Sequence, residues 1–181
     1  MKFSIKNYAK YIIYGLAVVC LIFLFFYNYM LFPIKYKKEI NLYSENYGVD
    51  NVLVASIICV ESSFIKEAKS GKGAIGLMQI MPSTAKWICE QKGEQFDQQK
   101  LFSPDYNINI GTYYLKYLIN KFGDVDNAII AYNAGEGTVS NWLKNDQLSQ
   151  DGKKLDKIPY SETSTYLTRV KRAMKVYAEK L

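Results

Sequence analysis

The chain has 181 residues, room for one domain of ordinary size and an appendage, and 49% are hydrophobic, which excludes disorder as the default state. Its net charge of +6 is local: residues 1–38 hold six lysines and no acid, and everything after Lys38 carries 17 basic and 17 acidic residues. A neutral folded part argues against a nucleic-acid face, and the absence of histidine removes Ser-His and Cys-His pairs and most zinc sites.

Residues 1–10 read as a short basic segment and residues 11–32 as a transmembrane anchor. No charge occurs from Tyr11 to Phe32, and Leu16 to Phe26 is almost wholly aliphatic or aromatic. A bilayer core needs about 20 such residues in a helix. The exit, Tyr-Asn-Tyr-Met-Leu-Phe-Pro, has no small-residue cleavage pattern, and Val18-Val19 before Cys20 does not fit lipoprotein processing. An uncleaved anchor is expected, with Tyr27, Tyr29 and Phe32 as an interfacial aromatic belt. The basic N-terminus is expected to stay in the cytoplasm and the domain to lie outside. Residues 33–39 form a basic juxtamembrane linker, and the domain proper is expected over 40–181.

From there the pattern alternates helix and break. Ile40 to Tyr47 is a helix stopped by Gly48. Asp50 caps a markedly apolar helix, Asn51 to Ser62, expected to be buried on most sides. Ser70 to Gly76 reads as loops or a small hairpin. Pro82 opens a helix toward Gln91 that ends at Gly93, and Pro104 opens another that ends at Gly123. Val125 to Tyr132 is helical, Asn133 to Gly137 a turn, and Thr138 to Leu143 helical again. Lys144 to Lys157 reads as an exposed loop. The last helix follows Pro159, with Tyr166, Val170 and Tyr177 on one stripe. Arg169, Lys171, Arg172 and Lys175 on it read as a solvated face. Cys59 and Cys89 read as small buried residues, with a disulfide as the lesser alternative. Strand signals are nearly absent, so the fold class is mainly α.

Glu61 carries the first chemical signal. It closes an apolar helix, where a charged carboxylate is costly unless paired or protonated, and desolvation would raise its pKa toward the range a general acid needs. Taken alone, Glu61 reads more simply as a helix-end acid pointing into water. The motifs in the rest of the chain shift that balance. Glu61-Ser62-Ser63-Phe64 precedes Gly73-Ala74-Ile75-Gly76-Leu77-Met78-Gln79-Ile80-Met81-Pro82, then Ala131-Tyr132-Asn133-Ala134-Gly135-Glu136-Gly137, then Pro159-Tyr160-Ser161-Glu162-Thr163 with Tyr166 beyond.

In these four ordered motifs the chain resembles the soluble lytic transglycosylases, whose catalytic domain has a goose-type lysozyme-like fold. The likeness spans about residues 42–177. Ile65-Lys66-Glu67-Ala68 stands where many relatives have Asn-Pro, and Ser103 where an Asp is frequent; both bear on loop shape. The resemblance implies a helical domain of the α+β lysozyme-like superfamily acting on peptidoglycan glycan strands, without metal or cofactor. It implies that Glu61 protonates the glycosidic oxygen and then deprotonates the sugar's own 6-hydroxyl, leaving a 1,6-anhydro end. Ser62 resembles a residue that hydrogen-bonds near Glu61 or the substrate, and Gln79 and Met81 resemble glycan-contacting positions. Tyr132 and Asn133 are similar to residues that orient Glu61 and the sugar, while Glu162 and Tyr166 border the same groove.

Gly76 reads as a backbone position needing positive φ or close approach, and Leu77 and Met78 as core. Asp50, Glu67, Asp105 and Glu136 read as caps and surface charges, leaving one plainly placed carboxylate where most glycosidases use two. Two alternatives stay open: a hydrolytic muramidase that uses water, and a non-catalytic wall-binding anchor. Protein partners are not legible.

Overall fold

The computed structural model describes the backbone of residues 5–181 and the side chains of residues 10–23 and 32–181. The chain divides into two units, Met1–Pro33 and Ile34–Leu181. The first is one helix, α1 (Ile5–Leu31). Residues 1–4 of the basic segment lie outside the described residues, as do the side chains of residues 24–31 in the expected anchor, Tyr27 and Tyr29 among them. Among the described residues, no helix is long and apolar enough to cross a membrane.

The second unit is helical, as its sequence pattern requires. It contains α2 (Lys37–Tyr47), α3 (Asn51–Ser62), α4 (Pro82–Lys92), α5 (Pro104–Phe122), α6 (Val125–Ala134), α7 (Glu136–Trp142) and α8 (Ser161–Tyr177). Helix α2 starts three residues before Ile40, because the Ile40 amide already reaches the Tyr36 carbonyl and Glu39 favours the first turn. Asp50 caps α3, its Oδ1 accepting from the Val52 amide at 2.8 Å. Leu53, Val54, Ile57 and Ile58 on α3 are buried, and the helix packs chiefly on α8 and α2. A carboxylate at its end is therefore carried on the most buried rod in the domain.

Between α3 and α4 the chain forms a tight loop with two isolated antiparallel bridges, Lys69 to Ile75 and Ile75 to Ile80. Gly76 has φ +80°, and a Cβ there would lie 2.3 Å from the Leu101 carbonyl oxygen and 2.2 Å from Asn107 Nδ2. Both reasons for glycine hold at once. Asn107 on α5 is fully buried and makes three bonds, two of them to the loop: its Oδ1 accepts from the Met78 amide at 2.8 Å, and its Nδ2 donates to Ile75 O at 2.9 Å and, beyond α4, to Leu101 O at 2.8 Å. Met78 packs against Gly111 of α5, where any Cβ would lie 2.3 Å from its sulfur. The loop is thus seated on α5 with little freedom.

Three local expectations need correction. The expected turn from Asn133 to Gly137 shrinks to Gly135 alone, because α6 continues through Ala134 and α7 begins at Glu136. A 3₁₀ turn, Gln98–Phe102, has no counterpart in the sequence pattern; Asp97 caps it, and it buries Leu101. The stretch from Lys144 to Lys157 is not simply exposed. Asn127 on α6 donates to Lys153 O and accepts from the Leu155 amide, while Ser149 Oγ donates to Lys154 O. Leu155 and Ser149 are buried as a result. Cys59 and Cys89 are buried thiols rather than a disulfide, with Cys89 Sγ 3.1 Å from Tyr106 Oη.

Candidate active site

Glu61 is the penultimate residue of α3, and the chain turns sharply beyond the helix: Ser63 and Phe64 both have positive φ, 51° and 63°. Such backbone is costly outside glycine and persists only where the surroundings hold it. Here the buried Phe64 ring packs on Tyr177 of α8, at 6.2 Å between centroids. The sharp exit leaves Glu61 at the wall of a groove between α3, α8 and the 73–81 loop. It lines two cavities, of ≈ 390 Å³ with Arg169 and Tyr166, and of ≈ 490 Å³ with Gln79, Met81, Tyr132 and Lys72. Glu162 and Asn133 line both.

The surroundings of Glu61 keep its proton. Burial pushes its carboxyl up from 4.5 to about 7, against a hydrogen bond from Tyr166 and the nearby Arg169 charge, which both favour the ionised form. Tyr166 Oη donates to Glu61 Oε1 at 2.6 Å. Burial, reinforced by the Glu61 charge, pushes the phenols of Tyr132 and Tyr166 well above the usual tyrosine range, so both remain donors. Arg169 donates to Val60 O at 3.3 Å, which keeps its guanidinium beside the last turn of α3. The result is a carboxyl that stays partly protonated near neutral pH and has a donor ready for the charge that appears when it gives its proton away.

The structure brings most of the expected residues to this groove, but it alters their parts. Ser62 does not face the groove: it is buried, and its hydroxyl lies 2.7 Å from the Leu77 carbonyl and 3.1 Å from that of Ile58, so it ties α3 to the loop. Tyr132 donates to Met78 O at 2.8 Å, not to Glu61, and the tyrosine that reaches Glu61 is Tyr166. Asn133 accepts from Thr163 Oγ1 at 2.8 Å, joining α6 to α8 across the groove. Gln79 sits at φ 47°, and its amide nitrogen donates to Ala68 O and Gly76 O, which leaves Oε1 for a ligand. Met81 is exposed on the groove wall. The other acids are engaged elsewhere: Asp105 accepts from Tyr43, Glu67 pairs with Lys66, and Glu136 pairs with Lys121. Glu162 is the second carboxylate that lines the Glu61 cavities among the described residues.

Sequence reasoning missed Arg169, Thr163, Lys72 and Asn107. A signal for Arg169 existed, since Glu162, Tyr166 and Arg169 recur at four- and three-residue steps and so share a face of α8. Thr163 had none, because its partner Asn133 lies 30 residues away.

Comparison with known proteins places this geometry among relatives. Residues 38–155 match the family model described as the transglycosylase SLT domain. The soluble lytic murein transglycosylase of Salmonella typhimurium is 37% identical over 145 residues, covering 77% of this chain and 22% of the relative. The membrane-bound lytic murein transglycosylase C of Serratia proteamaculans is 34% identical over 166 residues, covering 79% of this chain and 46% of the relative. Among solved structures, an inactive mutant of the lytic transglycosylase Slt from Pseudomonas aeruginosa superposes with a TM-score of 0.73 at 33% identity, over 82% of this chain and 25% of that one. The chain therefore spans between about a fifth and a half of the length of these relatives.

Proposed function

We propose, from the premise that this chain belongs to the transglycosylase SLT domain family, that it is a lytic transglycosylase cleaving the β-1,4 bond between N-acetylmuramic acid and N-acetylglucosamine in peptidoglycan. The observation that carries the proposal is the Glu61 carboxyl: its burial at a groove wall pushes it to about 7, and Tyr166 stands ready to bond its ionised form. Glu61 gives its proton to the glycosidic oxygen, and Tyr166 and Arg169 then stabilise the carboxylate that remains. The positive charge left at the sugar is met by the substrate's own N-acetyl group. The 6-hydroxyl then attacks the same carbon and returns its proton to Glu61. No water is consumed, and the product carries a 1,6-anhydro ring. Attack from within the substrate has effective concentrations of roughly 10⁵ M or more when geometry is right, which is how one carboxylate suffices. Gln79 Oε1, Met81 and Asn133 contact the glycan, and Tyr132 acts through the loop it holds at Met78.

Mass analysis of the fragments released from purified peptidoglycan tests this reading. Muropeptides one water lighter than lysozyme products are expected, with no reducing end at muramic acid. One observation favours a second reading: Glu162 lines both cavities with Glu61, and a second carboxylate at the same groove is what direct hydrolysis uses. Reducing ends from the earliest times, abolished by Glu162→Gln, would establish hydrolysis instead.

The domain is further proposed to be held at the outer face of the cell membrane by residues 11–32, with residues 1–10 and 33–39 as basic flanks and the catalytic domain following. Support comes from the uncharged run in the sequence itself, residues 11–32, which meets the roughly 20 residues a bilayer core requires of a helix. Protease added to intact, wall-stripped cells should remove the domain and leave a membrane fragment. Protection until the membrane is permeabilised would reverse the orientation.

A further inference from the structure

Beyond Asn133 the groove continues past the reacting centre. A neighbouring cavity of ≈ 260 Å³ shares Gln79, Met81, Tyr132 and Asn133 with the larger Glu61 cavity and reaches on to Thr84 and Tyr114. Those two residues line a further cavity of ≈ 230 Å³ together with Trp87 and Glu136. A continuous track therefore leads from Glu61 on α3 to the junction of α4, α5 and α7. Tyr132, Tyr114 and Trp87 line it, and they belong to one series of packed rings completed by Tyr117: Tyr132 to Tyr114 at 5.5 Å between centroids, Tyr114 to Tyr117 at 6.3 Å, and Tyr117 to Trp87 at 4.8 Å.

Glu136, at the far end, is held in one pose. Its Oε2 accepts from Tyr117 Oη at 2.8 Å and from Lys121 Nζ, while Oε1 accepts from no described group. An exposed ion pair of this kind adds only about 0–1 kcal/mol to stability. Its clear effect is to fix an acceptor beside Trp87. Polar groups fixed next to an aromatic wall at the end of a groove are how a site takes an amphipathic ligand. A sugar ring matches: its C–H face lies against the indole, and its hydroxyls or acetamido N–H donate to Oε1. A stem peptide matches poorly, because its own carboxylates would meet an oxygen that can only accept.

We infer that Trp87 and Glu136 form a distal saccharide subsite, which holds a further ring of the same glycan strand that is cleaved at Glu61. This rests on the glycan reading of the Glu61 groove, and the test separates the two. The full chain in detergent micelles, carrying Glu61→Gln so that ligand persists, is titrated with N-acetylglucosamine oligomers from dimer to hexamer. Affinity should step up at the length that reaches Trp87. Trp87→Ala or Glu136→Ala should each remove that step, a loss of roughly tenfold for long oligomers, with short ones unchanged. Trp87→Phe should keep most of it, which distinguishes ring stacking from a damaged fold. A step that survives both alanine variants, an equal loss at every length, or a step seen only with peptide-bearing glycan would overturn the subsite. No binding of any oligomer would overturn the glycan reading itself, and the subsite with it.

Discussion

Two polar side chains about 46 residues apart in the sequence, Asn107 fully buried and Glu61 partly buried, meet opposite treatment in this domain. Asn107 on α5 is completely buried and completely satisfied, bonding one backbone amide and two carbonyls of the segments around it. Glu61 at the end of α3 has one side-chain donor, Tyr166, and enough burial to push its carboxyl to about 7. A neutral amide with all its partners rigidifies the loop that forms one wall of the groove. A carboxyl with too few partners keeps a proton available at the other wall. Polar burial serves the scaffold where it is paired in full, and the chemistry where it is not.

The largest effect is expected where the pairing is deficient. Glu61→Gln keeps the shape and removes the proton, so turnover on peptidoglycan should fall by at least 10²–10⁴ with an unchanged circular dichroism spectrum. If more than about a tenth of the activity survives, the acid is another residue, and Glu162 is the first to test.

The opposite experiment targets the satisfied group. Asn107→Leu would leave two buried backbone groups, the Met78 amide and the Leu101 carbonyl, without partners and Ile75 O with the Ile80 amide alone. At about 1–3 kcal/mol for each orphaned group, urea unfolding should register a loss of about 2 kcal/mol or more. A loss below about 1 kcal/mol would mean that the loop relaxes and that Asn107 is no more a scaffold group than Glu61 is.

Glu61 should also make stability depend on pH in a direction opposite to an ordinary carboxylate. Unfolded, it loses its proton near 4.5; folded, near 7, because burial disfavours the charge. The folded chain binds the extra proton between those values, so stability from this group is full below about pH 4.5 and is lost as pH rises to about 7. The loss is about 3 kcal/mol at pH 8 by linkage. Glu61→Gln lacks it, so the variant should melt higher than the parent at pH 8 and not at pH 4. A parent that is the more stable of the two at pH 8 would rule out a raised carboxyl.

The smallest change sharpens the role of the partner. Tyr166 favours the ionised form, so Tyr166→Phe should move the alkaline limb of kcat/KM upward by up to about one pH unit while lowering the rate roughly tenfold. A limb that stays in place or moves down would assign the donor role elsewhere.

What could be read from the sequence depends on distance along the chain. Asp50, Gly48, Pro82 with Gly93, and Pro104 with Gly123 bound their helices where the sequence indicates, because caps and breakers act on backbone within a few residues. Glu61 and its companion motifs were legible in the same way, as residue types in fixed local order. Gly76 was legible as a backbone requirement, though not its neighbours Asn107 and Leu101.

Only the tertiary structure decided which groups meet across long separations. Tyr166 reaches Glu61 over 105 residues, while Tyr132 is taken by Met78 O and Ser62 by Leu77 O. Tyr132 and Tyr166 carry the same phenol, and nothing local separates them. The packing of α8 against α3 and of α6 against the loop decides which carbonyl or carboxylate lies within a hydrogen bond of each. The proton on Glu61 belongs to the same class. An acidic residue is plain in the sequence, but its affinity for a proton is set by how much water the surrounding fold removes.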